Sequence, residues 1–138
     1  MLDREVAFER LKAAGLRLTP QRRAVIEIMA ENRSHPTAEE VAAAVAVTTP
    51  GVSLSTIYKV LHELSDLELV REIDVPGAKR FDAEPDDHVH ILCAQCGQML
   101  DAPLPEATVH ALTKAVEGSV RTVERVDVLV HGACRACT

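Results

Sequence analysis

The chain has 138 residues and a formal net charge of −6, a length that suits one ordinary domain or two small ones. No apolar stretch reaches the ~20 residues that a membrane helix needs, and the charged start Met1–Glu5 does not resemble a signal peptide. We therefore expect a soluble, cytoplasmic protein without a membrane partner. Eleven of the fifteen Lys and Arg residues fall in residues 1–80, so any nucleic acid would be bound by that part.

Four short helices are predicted in the first half of the chain. An apolar helical face predicts a first helix that ends at Gly15. Thr19 stands directly before a proline and is a start signal for a second helix, and Thr37 opens a capping box for a third. Ser53 can cap a fourth helix, on which leucines and an isoleucine recur at helical spacing.

An extended segment follows these helices. Residues 69–82 alternate partly between apolar and polar, break at Pro76-Gly77 and resume, which predicts a β-hairpin. Helices followed by a hairpin are the order of a winged helix-turn-helix, whose last helix enters the major groove of DNA. Polar side chains there can contact bases or phosphates, although ordinary solvated side chains would give the same pattern. The candidates for DNA contact are Arg17, Arg22, Ser55, Thr56, Tyr58 and Lys59.

All four cysteines lie in two Cys-x-x-Cys motifs, here called knuckles, at residues 93–96 and 134–137. Each knuckle can place two thiolates on one metal ion, and two knuckles complete the tetrahedral set of structural zinc. Disulfides need an oxidising compartment, and a thioredoxin-like redox pair has one such motif rather than two. We therefore predict a structural Zn(II) bound by Cys93, Cys96, Cys134 and Cys137.

A pair of histidines, His88 and His90, precedes the first knuckle. On a strand, side chains two residues apart project from the same face, so the two imidazoles can chelate one ion. By itself this pair is as consistent with polar surface residues as with a metal site. His and carboxylate ligands would suit iron, manganese or zinc.

Several motifs together resemble one known family. They occur in the same order at Leu11–Arg22, His35–Ala38, Ser55–Tyr58, Arg80–Asp82 and His88–Cys93. The chain resembles the ferric uptake regulator (Fur) family of bacterial metal-dependent repressors nearly end to end. The resemblance implies an α+β protein with a winged-helix DNA-binding domain at residues 1–82, a hinge near residues 82–86, and a small α/β dimerisation domain at residues 83–138. It also implies a homodimer that binds double-stranded operator DNA, with Tyr58 in contact with the DNA.

The resemblance further implies a regulatory metal site. To His88 and His90 it adds His35 and Asp82 from the helical domain, and Asp101 from the strand after the first knuckle. One Fe(II) or Mn(II) ion bound by both domains would select an arrangement in which the dimer contacts its operator. An Asp at position 101 resembles the peroxide-responsive repressors of the family, in which Fe(II) and hydrogen peroxide oxidise ligand histidines, here His35 and His88.

Two alternatives remain open at this point. Iron-sensing members of the family usually carry Glu where this chain has Asp101, so one residue separates a peroxide sensor from an iron-, manganese- or zinc-uptake regulator. His and carboxylate ligands also occur in non-haem iron oxygenases. Those enzymes need a concave substrate pocket, and no substrate-binding motif is visible, so we expect no enzyme activity and no small organic substrate.

Overall fold

The computed structural model describes residues 2–31, 35–84 and 87–137. It divides the chain into two compact units, residues 1–85 and 86–138, whereas the predicted boundary followed residue 82. Two residues of the predicted hinge, Pro85 and Asp86, lie outside the described residues.

The first unit begins with four helices, and hydrogen bonds at their first turns explain where they start. They are α1 (Arg4–Ala13), α2 (Pro20–Glu31), α3 (Ala38–Thr48) and α4 (Leu54–Asp66). The hydroxyls of Thr19, Thr37 and Ser53 each accept a hydrogen bond, at 3.2 Å, from the backbone N–H three residues later. These are the predicted start signals, and each satisfies an N–H that the helix leaves unbonded. Gly15, after α1, has a φ of +78°, which glycine adopts without steric cost.

The core of the first unit is aliphatic, in a chain that has one Tyr, two Phe and no Trp. It is formed by the apolar faces of the four helices, and the one aromatic side chain at its centre, Phe81, is fully buried. Burial of such side chains contributes about 1.5–3 kcal/mol each. The fully buried members from α2, α3 and α4 include Val25, Ile26, Met29, Val41, Val45, Ile57, Leu61 and Leu64.

A two-stranded hairpin completes the first unit. Strand β1 (Arg71–Val75) pairs antiparallel with β2 (Ala78–Asp82), and Gly77 in the turn between them has a φ of +87°. Four helices followed by this hairpin form a winged helix-turn-helix, as the sequence predicts.

The second unit is a three-stranded sheet with one helix. It contains β3 (His88–Cys93), β4 (Met99–Pro103), α5 (Glu106–Val116) and β5 (Val128–Gly132). The strand order is β4-β3-β5; β3 pairs antiparallel with β4 and parallel with β5. The predicted α+β class, with a small α/β unit after the winged helix, is confirmed. Within the described part of the chain, no helix is long and apolar enough to cross a membrane.

Candidate functional site

The two knuckles meet because β3 and β5 are neighbours in the sheet. Cys93 is the last residue of β3 and lies opposite Gly132, the last residue of β5. The backbone N–H of Ala94 donates to the carbonyl of Gly132 at 2.7 Å. Each strand therefore leads into its knuckle at the same end of the sheet. This brings together two motifs that are far apart in sequence.

The four sulfur atoms form a compact cluster. All lie within 4.8 Å of one another, with Sγ–Sγ distances of 3.8 Å for Cys93–Cys137, 3.8 Å for Cys96–Cys134 and 3.5 Å for Cys134–Cys137. A tetrahedron of sulfurs ~2.3 Å from a central zinc has an edge of about 3.8 Å. None of the four forms a disulfide. The residues present fit a Zn(Cys)₄ centre.

The thiols of this cluster influence one another strongly. Backbone N–H groups of Cys134 and Cys96 donate to the Cys93 sulfur at 3.3 and 3.5 Å, and these hydrogen bonds lower the pKa of Cys93 to about 6. Hydrogen bonds with the thiols of Cys134, Cys96 and Cys93 raise the pKa of Cys137 to about 12. One thiolate is therefore easily formed, whereas four thiolates this close together require a cation to offset their charge.

In the first unit, His35 and Asp82 form a buried pair. His35 Nε2 lies 3.8 Å from Asp82 Oδ2, and the side chains are 2% and 3% exposed. The segment before α3 runs beside β2: the N–H of Phe81 donates to the carbonyl of Pro36 at 2.9 Å, and Arg80 donates to the carbonyl of His35 at 2.8 Å. A buried imidazole beside a buried carboxylate is a donor pair that can bind a metal ion.

In the second unit, the sheet brings His88, His90 and Asp101 together. The imidazoles of His88 and His90 project from the same face of β3, with ring centroids 4.4 Å apart. Asp101 on β4 lies opposite His90 in the strand register, and its carboxylate is 3.5 Å from His88 Nε2. Two imidazoles and one carboxylate are thus available at one place on this sheet.

The candidate DNA contacts of α4 differ in exposure. Ser55 and Lys59 are exposed, whereas Thr56 and Tyr58 are half-buried. The Thr56 hydroxyl lies 2.9 Å from that of Ser53. The Tyr58 hydroxyl donates to Glu39 of α3 at 3.3 Å. The polar face of α4 is therefore present, and part of it is fixed by contacts with the helix cap and with α3.

The two arginines among the candidates are placed differently. Arg17 is exposed. Arg22 is largely buried, and its guanidinium donates to Glu63 of α4 at 2.7 and 3.1 Å and to the carbonyl of Arg17 at 2.8 Å. Its hydrogen bonds are directed within the protein, and they join α2 to α4.

Sequence reasoning missed a cluster formed by α4 and the hairpin. Glu72 of β1 accepts a hydrogen bond from Lys79 of β2 at 3.0 Å and forms an ion pair with His62 of α4. The sequence places His62 on the polar face of α4 but indicates no partner for it. No local pattern indicates this cluster, because its members come from three elements and meet only in the folded domain.

Comparisons with known proteins agree with this architecture. The model of the family described as "Ferric uptake regulator family" matches residues 13–125. The peroxide-responsive repressor PerR of Staphylococcus aureus (strain Mu50) is 32% identical over 135 residues, which cover 96% of this chain and 90% of the relative.

Solved structures with the same fold include two regulators. The Helicobacter pylori ferric uptake regulator Fur superposes with a TM-score of 0.82 at 21% identity, covering 98% of this chain and 93% of its own. The Campylobacter jejuni peroxide stress regulator superposes with a TM-score of 0.72 at 28% identity, covering 94% and 98%. The first likeness, at low identity, concerns the fold alone.

Proposed function

Because the chain belongs to the ferric uptake regulator family, we propose that it is a metal-dependent transcriptional repressor that binds double-stranded operator DNA as a homodimer. It acts in the cytoplasm and is not an enzyme. A structural Zn(II) occupies the four-cysteine cluster, and a second ion regulates DNA binding. The observation that carries the zinc proposal is the set of Sγ–Sγ distances, which equal or approach the edge of a zinc–sulfur tetrahedron.

The proposed regulatory ion takes its ligands from both units, namely His35, Asp82, His88, His90 and Asp101. Each unit supports this separately, since His35 lies near Asp82 and His88 lies near Asp101. Three imidazoles and two carboxylates suit Fe(II) or Mn(II). A ligand set divided between two units couples metal binding to their arrangement, so metal and operator each raise the affinity for the other by the same factor.

The proposed DNA surface is the polar face of α4 with the residues around it. Exposed Ser55 and Lys59 are suited to base edges and phosphates, and Thr56 and Tyr58 lie beside them. Exposed Arg17 is suited to a phosphate. For Arg22, the bonds to Glu63 support a role in setting the position of α4, through which it would affect DNA binding.

The proposed dimer surface is on the second unit. None of the eleven residues of α5, all of them described, is buried, and Leu112 and Val116 are 40% and 39% exposed. Val130 of β5 is 46% exposed. A helix that buries none of its apolar residues within its own chain is typical of a surface covered by a second copy.

Metal-dependent DNA binding is the direct test of this proposal. A short duplex is first selected from a random-sequence library by the Mn(II)-loaded protein, and its dissociation constant is then measured with and without Mn(II). We expect the metal-free protein, with its zinc retained, to bind at least ~5-fold more weakly, the lower end of ordinary coupling. Asp82→Asn should weaken binding in Mn(II), whereas Glu9→Gln, at an exposed carboxylate of α1, should not. Equal affinity with and without Mn(II) would contradict the proposal.

The finer proposal is that the signal is hydrogen peroxide. Asp101 and the 32% identity to a peroxide-responsive repressor support it. One oxygen atom of peroxide would be added to the imidazole of His35 or His88 and the other would leave as water, so the imidazole gives up the two electrons that reduce peroxide. Bound Fe(II) would supply the redox chemistry that starts this reaction. An oxidised imidazole is a weaker ligand, so operator DNA is released. The alternative is an iron-, manganese- or zinc-uptake regulator of the same family, whose Fe(II) form would keep its operator in peroxide.

A further inference from the structure

His62 extends the exposed polar row of α4. It lies three residues after Lys59 and seven after Ser55, a spacing that puts the three side chains on one face of the helix. Its side chain is 53% exposed, and Ser55 and Lys59 are exposed as well. The surface that we propose to face DNA therefore continues about one turn beyond Lys59.

Glu72 joins this histidine to the hairpin. Its Oε1 lies 2.5 Å from His62 Nδ1, and its Oε2 accepts a hydrogen bond from Lys79 Nζ at 3.0 Å. Lys79 Nζ is also 3.8 Å from Asp74 Oδ1. One carboxylate thus connects α4 to both strands of the hairpin, with an imidazole on one oxygen and an ammonium on the other.

This contact defines which atom of the imidazole is available to a partner outside the protein. A nitrogen that donates to a carboxylate keeps its proton, so Nδ1 of His62 is occupied and Nε2 is the remaining polar atom. In the neutral ring Nε2 is a hydrogen-bond acceptor, and its lone pair is repelled by a phosphate oxygen. In the charged ring Nε2 carries a proton and can donate a hydrogen bond to a phosphate oxygen or to a guanine edge.

Imidazoles ordinarily change charge between pH 5 and 8, and over this range the groups around His62 keep their own charges. Burial raises the pKa of Glu72, but the hydrogen bond from Lys79 and the charges of His62 and Lys79 outweigh it and hold that pKa below its usual value. Hydrogen bonding to Glu72 raises the pKa of Lys79, and burial and the nearby Glu39 raise that of Tyr58. The carboxylate therefore stays negative, the ammonium positive and the phenol neutral.

Charged groups of α2 and α3 contact other residues of α4. Arg22 of α2 binds Glu63, and Glu39 of α3 accepts from Tyr58. Glu72 from β1 lies against His62, and Lys79 from β2 lies against Glu72.

From this geometry we infer that His62 is a DNA-contacting residue whose charged form strengthens operator binding, and that Glu72 is the positioning residue that orients it beside Lys79. The inference rests on the proposed function, because it assumes that α4 and the hairpin face DNA. The inference predicts that the affinity for operator DNA rises as the pH falls through the range in which imidazoles become charged. It also assigns specificity to a residue that follows the Ser55–Tyr58 motif.

The test uses the full-length, Mn(II)-saturated protein and the duplex selected from the random library. Its dissociation constant is measured against salt concentration at pH 6 and pH 8, the range in which an imidazole changes charge. For the wild type, the log–log slope should steepen at pH 6 by up to about 0.9, the value for one added phosphate contact. His62→Gln should give one slope at both pH values, and Glu9→Gln, a change at an exposed residue of α1, should behave as the wild type. A His62→Gln variant with the full wild-type pH response would overturn the inference.

Two variants test the role of Glu72. Glu72→Ala releases Lys79 and His62, so the protein should bind a duplex of scrambled sequence more tightly. Its specificity, measured as the dissociation constant for the scrambled duplex divided by that for the selected duplex, should fall about tenfold. That change is in the lower part of the range for one specific contact. Glu72→Gln, whose amide can still bond to one or both partners, should retain more of that ratio. An unchanged ratio in Glu72→Ala would overturn the positioning role.

Failure of this inference is distinguishable from failure of the proposed function. If the Mn(II)-loaded wild type selects no duplex, the proposed function fails and the inference fails with it. If the wild type selects and binds a duplex but His62→Gln leaves its pH response intact, the inference alone is wrong.

Discussion

Arg22 donates two hydrogen bonds to one carboxylate oxygen of Glu63, at 2.7 and 3.1 Å, across 41 positions of sequence. Both side chains are largely buried. The pair fixes α2 against α4, the helix that we propose enters DNA. An arginine that looks in sequence like a phosphate contact is thus, in the fold, a link between two helices.

This link predicts different consequences for the two arginines. Arg22→Gln should lower the free energy of unfolding by about 1.5–3 kcal/mol, because it removes hydrogen bonds to a charged, largely buried group. Arg17→Gln should leave that free energy nearly unchanged but reduce the salt dependence of DNA binding by about 0.9 in log–log slope. Denaturant unfolding and binding against salt measure the two effects. The reverse assignment, with Arg17→Gln destabilising the fold, would show that the roles are exchanged.

The cysteine cluster gives a second prediction. Cys96→Ser should lower the zinc content to about none and loosen the dimer, because a structural zinc contributes ~10 kcal/mol or more to folding. Gln95→Ser changes a neighbouring residue of the same knuckle without removing a sulfur, and should keep its zinc. Elemental analysis and sedimentation of the purified variants measure both properties. Full zinc retention in Cys96→Ser would rule out a four-cysteine site.

The extent to which the sequence predicts this structure depends on how local each interaction is. The helix starts at Thr19, Thr37 and Ser53 are predictable because each hydroxyl bonds an N–H only three residues away. The pairing of His88 with His90 is predictable for the same reason, since the alternation of a strand fixes it.

The remaining contacts could not be read from local patterns. Glu63 as the partner of Arg22, and Glu72 as the partner of His62, depend on how helices and hairpin pack. The meeting of the knuckles depends on the parallel pairing of β3 with β5, which no turn or periodicity specifies. The DNA contacts, the regulatory ligand set and the domain boundary stay predictions.

Glu72 gives a prediction about pH. Its carboxyl pKa lies below the usual value despite burial, through the hydrogen bond from Lys79 and the charges of His62 and Lys79, so Lys79→Gln should raise it. Lys12→Gln, a change on α1, should not. A depressed carboxyl pKa adds stability that is fully present above the unfolded-state value of about 4.3 and is lost as the pH falls through the folded-state pKa. Carboxyl chemical shifts measured against pH give the value directly, and no change in Lys79→Gln would contradict this account.

The peroxide proposal predicts a specific effect of lengthening one ligand. Asp101→Glu should blunt the loss of DNA binding on exposure to peroxide while keeping metal-dependent binding, because the longer carboxylate still coordinates but changes the geometry of the site. Binding of the selected duplex by the Fe(II) form, before and after peroxide, measures this. Glu9→Asp, an acidic change at an exposed residue of α1, serves as the control. An unaltered peroxide response in Asp101→Glu would show that Asp101 does not confer the sensitivity.

The most direct measurement compares the Fe(II) and Mn(II) forms of the full-length protein before and after mild peroxide, by DNA binding and by peptide mass. We predict that the Fe(II) form releases the duplex and gains one oxygen atom at His35 or His88, because Fe(II) would start the reaction in which one peroxide oxygen is added to an imidazole and the other leaves as water. The Mn(II) form should keep both its duplex and its mass. Equal sensitivity of the two forms, or oxygen found on the cysteines instead of the histidines, would contradict the account.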